Sequence, residues 1–202
     1  MQSQIVADRL EARHGVTRER VEDGLLAAFK AARQQRALCE YRAWYPQMGD
    51  ILGDIADHYG RDRYAVTWAF SELSPRMRLN KNIEALFYVL EGGSHAAYPG
   101  LKDRWVAAHQ ALALDPDLMS HRATGQTGNK VAAFTRALMG DRDAVVIDAI
   151  MLRLMGVDPE HRLTRAQYTL MSEWLSDLAD TMGESPRDFQ AIAWSGERGT
   201  NG

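Results

Sequence analysis

The spacing of apolar residues is the strongest constraint on the fold of this chain, because it follows the period of an α-helix along almost the whole sequence. Met48, Ile51, Leu52 and Ile55, for example, follow the i, i+3, i+4, i+7 pattern of a helix with one face in a core. No segment shows the sustained alternation of a half-buried strand, and the β-branched run at 144–147 is too short for one. The sequence therefore predicts an all-α fold of roughly ten helices without an internal repeat.

Polar residues and glycines mark the predicted helix ends. Thr17 and Asp62 are suited to be N-caps, because their side-chain oxygens accept hydrogen bonds from the first helical N–H groups. Ser185 followed by Pro186 predicts another helix start, with proline in the first helical position. The glycine-rich polar tail from Ser195 is predicted to be frayed.

Length and composition narrow the class of protein. With 202 residues, 46% of them apolar, the chain can form one domain or two small lobes that share a core. The absence of a long apolar run and of a signal-peptide pattern predicts a cytoplasmic protein without membrane contact. Cys39, the single cysteine, excludes an internal disulfide and a four-cysteine iron–sulfur cluster. The histidines lack the spacing of a helical metal site, so we expect no metal.

The charge balance leaves the partner open. A formal net charge of −3 argues mildly against avid, non-specific binding to nucleic acid. A DNA-binding protein of this charge needs its basic residues concentrated on one face, and a local excess occurs at Arg76, Arg78 and Lys81.

The segment Gly125–Arg153 carries the clearest chemical signal. Gly125, Thr127 and Gly128 predict a tight turn before a helix that begins near Asn129. The N–H groups at such a helix start attract a phosphate. Lys130 falls in the first turn of this helix, where the positive end of the helix dipole disfavours a cation. The lysine is therefore either tolerated there or serves a purpose. Partial burial would depress the pKa of its amine and make it a better nucleophile.

Asp148 follows the apolar residues 145–147 and has two interpretations. It can be an N-cap for the helix that contains Met151. It can also be a catalytic carboxylate that assists an amine, which attacks a sugar C1′ and forms a Schiff base with it. The spacing alone does not choose between them.

The segment resembles the hairpin of the helix-hairpin-helix DNA glycosylase superfamily, which has a glycine turn, Gly-x-Lys, a helix and Val-Asp-x-x-x-x-Arg. Gly128-Asn129-Lys130 matches the first part, and Ile147-Asp148 with Arg153 matches the second. Leu73-Ser74-Pro75-Arg76 is similar to the Leu-Ser-x-Gln segment of that family, although Ser74 and Pro75 can also simply end a helix. The chain would be a divergent member without an iron–sulfur cluster.

The resemblance implies roles for individual residues. Lys130 would be the nucleophile on deoxyribose C1′, with lyase activity through the Schiff base, and Asp148 would stabilise the developing positive sugar or help to deprotonate the amine. Arg76 would fill the gap that the extruded base leaves, and Trp44 and Tyr45 are candidates for the base pocket. The remaining contacts to DNA would come from Gly125, Thr127, Gly128, Asn129, Ser74, Arg78 and Arg153.

The resemblance also implies a two-lobed architecture with the DNA base read in a cleft between the lobes. Residues 42–140 would form the central lobe that ends in the hairpin, and residues 1–41 together with 141–202 the second lobe. The enzyme would act as a monomer on double-stranded DNA with a flipped base, without a cofactor, and would excise a damaged or modified base.

Two other functions remain compatible with the sequence. One is a base-modifying transferase on the same scaffold, similar to the enzymes of bacteriophages that transfer amino acids to activated thymine in DNA. The other is a non-catalytic DNA-binding module, in which Lys130 would be dispensable. The presence of both Lys130 and Asp148 favours excision.

Overall fold

The computed structural model describes residues 2–34, 38–75, 77–98, 102–113 and 129–200. These residues form ten α-helices and one short 3₁₀ helix and contain no strand, which confirms the predicted all-α class. The helices are α1 Gln2–His14, α2 Arg18–Gln34, α3 Leu38–His58, α4 Arg63–Leu73, α5 Leu79–Leu90, α6 Lys102–Ala113, α7 Asn129–Leu138, α8 Ala149–Leu154, α9 Arg165–Thr181 and α10 Pro186–Thr200, with the 3₁₀ helix at His95–Ala97.

The predicted N-caps form as expected. The Asp62 carboxylate accepts a hydrogen bond from the backbone N–H of Ala65 at 2.8 Å, and the Thr17 hydroxyl accepts one from Arg20 N–H at 3.2 Å. At α3, Gly60 adopts a φ of +59° beyond the helix end, a conformation that a side chain disfavours. Local sequence therefore determines where these helices begin and end.

The described chain divides into two compact units. Unit 1 consists of residues 1–45 and 141–202, and unit 2 of residues 46–140, so that the first division falls inside α3. In unit 1, α2 packs extensively against α10 and more lightly against α8 and α9. The Phe29 and Phe189 rings stack there at a centroid distance of 4.8 Å, and both side chains are buried. This arrangement gives unit 1 its own hydrophobic core.

The end of α10 differs from the expected frayed tail. The helix continues to Thr200, and Gly196 is buried against α2. A Cβ atom at Gly196 would lie 2.6 Å from the Ala28 carbonyl oxygen, so the absence of a side chain lets the two helices approach closely. The expectation was wrong because this glycine is a packing residue and does not end the helix.

In unit 2, α4 packs against α5, α6 and α7. Phe70 is buried on α4, its ring centroid 6.0 Å from that of Phe134 on α7. The buried amide of Asn82 donates a hydrogen bond to the Phe70 carbonyl at 3.2 Å and so fastens α5 to α4. None of the helices in the described ranges is both long enough and apolar enough to span a membrane.

Candidate active site

The segment that precedes Asp148 is buried without belonging to a sheet. Ala144, Val145, Val146 and Ile147 are each at most 5% exposed. Buried backbone groups need hydrogen-bond partners, and here side chains supply them. Gln190 Oε1 accepts from Val146 N at 2.7 Å, while the Tyr168 hydroxyl accepts from Ile147 N at 3.1 Å and donates to Val145 O at 2.8 Å. These bonds fix the backbone that leads into Asp148.

Asp148 is the N-cap of α8, and its two carboxylate oxygens have different partners. Oδ1 accepts from the backbone N–H of Met151 at 2.9 Å, and Oδ2 accepts from the Trp194 indole N–H at 3.3 Å. The capping interpretation is thus confirmed. Each oxygen retains a further lone pair, and the residue is half-buried, so the carboxylate is oriented by the protein and still able to act on a ligand.

Trp44, Tyr45 and Trp194 form an aromatic cluster beside this carboxylate. The Trp44 ring lies edge-on to Tyr45 at a centroid distance of 4.8 Å and is tilted towards Trp194 at 5.8 Å. Tyr45 is buried, and its hydroxyl accepts a hydrogen bond from Gln190 Nε2 at 3.0 Å. Trp44 and Trp194 are half-buried. Within unit 1 the structure therefore brings Asp148 together with both predicted base-pocket residues, of which Trp44 has the more accessible ring.

Sequence reasoning missed the supporting residues of this arrangement. Gln190 and Trp194 lie four residues apart on α10 and therefore share a face, a spacing that could have indicated a joint role. Their partners, Val146 and Asp148, are 44 and 46 positions away in the chain. No local pattern indicates such distant contacts.

A network of ion pairs lies at the start of α10. Asp188 pairs with Arg142 at 3.1 Å and with Arg187 at 3.0 Å, and Arg187 is only 7% exposed. Arg42 forms a bidentate pair with Glu184, in which Nε lies 3.1 Å from Oε2. The buried charges of Arg187 and Asp188 therefore compensate each other, and Arg142 adds a second ion pair to the Asp188 carboxylate.

Burial raises the pKa of the Tyr45 hydroxyl far above its usual value, and the negative charge of Asp148 raises that pKa further. The native state therefore keeps this proton at a pH where the unfolded chain, with an ordinary tyrosine pKa of about 10, loses it. The unfolded state then binds fewer protons than the native state, so that the free energy of unfolding decreases as the pH rises.

We expect this proton to give Tyr45 a measurable signature in alkaline solution. Above about pH 10 the proton that native Tyr45 retains should make the free energy of unfolding decrease by up to about 1.4 kcal/mol per pH unit. The Tyr45→Phe protein should lack this part of the decrease. Denaturant unfolding of both proteins between pH 8 and about pH 11 measures the difference, since the other tyrosines titrate in both. Parallel pH profiles would show that the Tyr45 hydroxyl ionises as freely in the native state as in the unfolded chain.

The other predicted site residues lie partly in unit 2. Lys130 is half-buried in the first turn of α7, and Asn129 begins that helix as predicted. Ser74 is the C-cap of α4, where its hydroxyl donates to Ser71 O at 2.8 Å, which confirms its interpretation as a helix-ending residue. Arg78 is exposed at the start of α5.

The remaining predicted residues are an arginine in unit 1 and four positions without a described structure. Arg153 is exposed in the last turn of α8. Gly125, Thr127, Gly128 and Arg76 lie outside the described residues. Among the residues that are described, no three His, Cys, Asp or Glu side chains are grouped closely enough to hold a metal ion.

Comparison with known proteins gives a single result. Searches of curated proteins and of solved structures find no match to this chain. A family whose description is "Family of unknown function (DUF7178)" matches residues 7–201, nearly the complete sequence. The chain therefore belongs to the DUF7178 family.

Proposed function

We propose that this protein is a DNA glycosylase with AP lyase activity and a fold of the helix-hairpin-helix glycosylase type. Its substrate would be double-stranded DNA from which a damaged or modified base is flipped out. The proposal combines the sequence resemblance around Lys130 and Asp148 with the way in which unit 1 holds Asp148. The enzyme would work as a monomer in the cytoplasm and need no cofactor.

In this mechanism Lys130 is the nucleophile. The lone pair of its neutral amine forms a bond to C1′, and the glycosidic C1′–N bond breaks with its electron pair going to the departing base. The base takes up a proton, and opening of the sugar ring leaves an iminium ion that joins Lys130 to the DNA. Loss of the C2′ proton then expels the 3′ phosphate, which is the lyase step.

Asp148 would stabilise the positive charge that develops on the sugar. The carboxylate accepts hydrogen bonds from Met151 N–H and Trp194 Nε1–H, which hold it in one orientation. A group that is fixed in this way can stabilise a nearby positive charge without reorganising. The accessible ring of Trp44, in the same cluster, is suited to stack against an extruded base.

The contact of Asp148 with Trp194 is the observation that carries the proposal. Capping α8 requires one carboxylate oxygen, and Met151 N–H already occupies Oδ1. The indole hydrogen bond to Oδ2 is additional, and it places the acid among aromatic rings instead of in bulk solvent. The carboxylate thus has a second donor, which the capping of α8 does not use.

A borohydride trapping assay tests the proposal. The wild-type protein is incubated with a panel of duplexes, each with one damaged or modified base still attached to its sugar, in the presence of sodium borohydride. We expect a covalent protein–DNA adduct with at least one duplex, because borohydride reduces the iminium ion to a stable amine. A base-modifying transferase or a simple binding module would form no adduct with any duplex, and that result would contradict the proposal.

A further inference from the structure

A surface hollow of about 240 Å³ in unit 2 is separate from the residues discussed so far. It lies between the end of α3, the end of α5 and the last turns of α6. Its lining consists of Arg61, Val89, Leu90, Gly92, His109, Leu112 and Ala113. Pockets for drug-sized ligands have roughly 300 Å³ or more, so this hollow can enclose only part of such a ligand.

The hollow combines an apolar floor with cationic and imidazole side chains and has no acidic lining residue. Val89, which is 2% exposed, forms the floor together with the half-buried Leu90 and Leu112. Two acids adjoin lining residues in the sequence, and both have partners: Glu91 accepts a hydrogen bond from the Tyr59 hydroxyl at 3.2 Å, and Asp62 accepts one from Ala65 N–H at 2.8 Å. The chain as a whole has a net charge of −3, but the residues that line this hollow include an arginine and no carboxylate. The hollow is therefore suited to an anion.

Arg61 is the main cationic group of the hollow. Its backbone N–H donates to Ala56 O at 2.9 Å, which fixes the base of the side chain. Within the described ranges its guanidinium forms no hydrogen bond or ion pair, whereas Arg63 pairs with Asp50 and Arg104 with Glu72. Its planar group, with several N–H donors, matches the oxygens of a phosphate.

His109 connects the hollow to a group of aromatic rings. Its ring lies 6.0 Å from that of Trp105, which is stacked on Tyr98 at 5.6 Å with an interplanar angle of 19°. The Trp105 indole donates to Gly93 O at 3.1 Å, so the turn after α5 is held against α6. The imidazole therefore lies against a buried aromatic ring and carries an N–H group that can donate to a ligand.

We propose that this hollow binds one nucleotide unit, with its phosphate on Arg61 and His109 and its base against the apolar floor. A nucleotide combines a planar ring, whose faces pack against apolar side chains, with an anionic phosphate, and these two parts match the apolar floor and the two basic side chains. Neither Lys130 nor Asp148 lines this hollow, so the proposal does not depend on base excision. The nucleotide could be free or part of a single strand.

Titration with AMP, followed by NMR of protein in which the tryptophans carry ¹⁵N, tests this site. We expect AMP to shift the indole signal of Trp105, because that ring contacts His109. Arg61→Gln and His109→Gln should each weaken AMP binding by about tenfold, since each loses a hydrogen bond to a charged group. Adenosine, which lacks the phosphate, should bind at least about tenfold more weakly than AMP. If a single-stranded oligothymidylate binds more tightly than AMP, the nucleotide comes from a strand, and the reverse order indicates a free nucleotide.

Lys102→Gln provides the matched control, because Lys102 is exposed on the same helix as His109 and does not line the hollow. It removes one positive charge and should leave the AMP affinity unchanged. The proposal is overturned if millimolar AMP does not shift the Trp105 signal. Equal weakening by Lys102→Gln and Arg61→Gln would also overturn it, because only the general charge of the surface would then matter.

Discussion

The variants Lys130→Gln and Lys130→Arg should both fail to form the borohydride-trapped adduct, with a loss of at least about two orders of magnitude relative to wild type. Glutamine has no nucleophilic amine, and arginine keeps the positive charge but cannot form a Schiff base in its always protonated state. The arginine variant therefore separates nucleophilic attack from simple attraction to the phosphates of DNA. The fraction of labelled duplex that shifts to the covalent species in a denaturing gel measures the effect.

Lys30→Gln is a suitable control, since Lys30 is exposed on α2 and has no role in the proposed reaction. It should give the same amount of adduct as wild type. Thermal unfolding of all variants checks that they are folded. If Lys130→Arg still formed the adduct, another amine would be the nucleophile, and the assignment of Lys130 would be wrong.

The general fold could be predicted because its signals are local. The i, i+3, i+4 spacing of apolar residues predicted the all-α class, and Asp62 and Thr17 predicted helix starts that the structure confirms. Each of these features depends on residues within one or two helical turns. The sequence also indicated that Asp148 could be an N-cap, for the same reason.

The surroundings of Asp148 could not be predicted, because they depend on contacts between distant parts of the chain. Tyr168 and Gln190 supply hydrogen bonds to the buried residues 145–147 in place of a neighbouring strand. The apolar run of β-branched residues indicated burial without showing what would satisfy its backbone. The partner of Trp194 likewise becomes evident only when α10 has packed against α8.

Gly24→Ala should be one of the most destabilising single substitutions in this protein. In an isolated helix, replacing an interior glycine with alanine stabilises by roughly 0.5–1 kcal/mol. In α2, however, a Cβ atom at Gly24 would lie 1.8 Å from the Leu154 carbonyl oxygen and 3.0 Å from its carbonyl carbon. Backbone atoms cannot rotate away, so α2 and the end of α8 would have to separate. We expect the free energy of unfolding to decrease by about 3 kcal/mol, as measured from urea unfolding followed by circular dichroism.

Gly53→Ala is the matched control for this experiment, since it makes the same substitution inside another helix. A Cβ atom at Gly53 would come within 3.4 Å only of the Arg63 side chain, which is flexible and partly exposed. This variant should be neutral or more stable by up to about 1 kcal/mol, because alanine restricts the unfolded chain. A Gly24→Ala protein as stable as Gly53→Ala would mean that α2 does not approach the Leu154 backbone closely. Since Asp148 is the N-cap of α8, that result would also contradict the packing that positions the proposed catalytic acid.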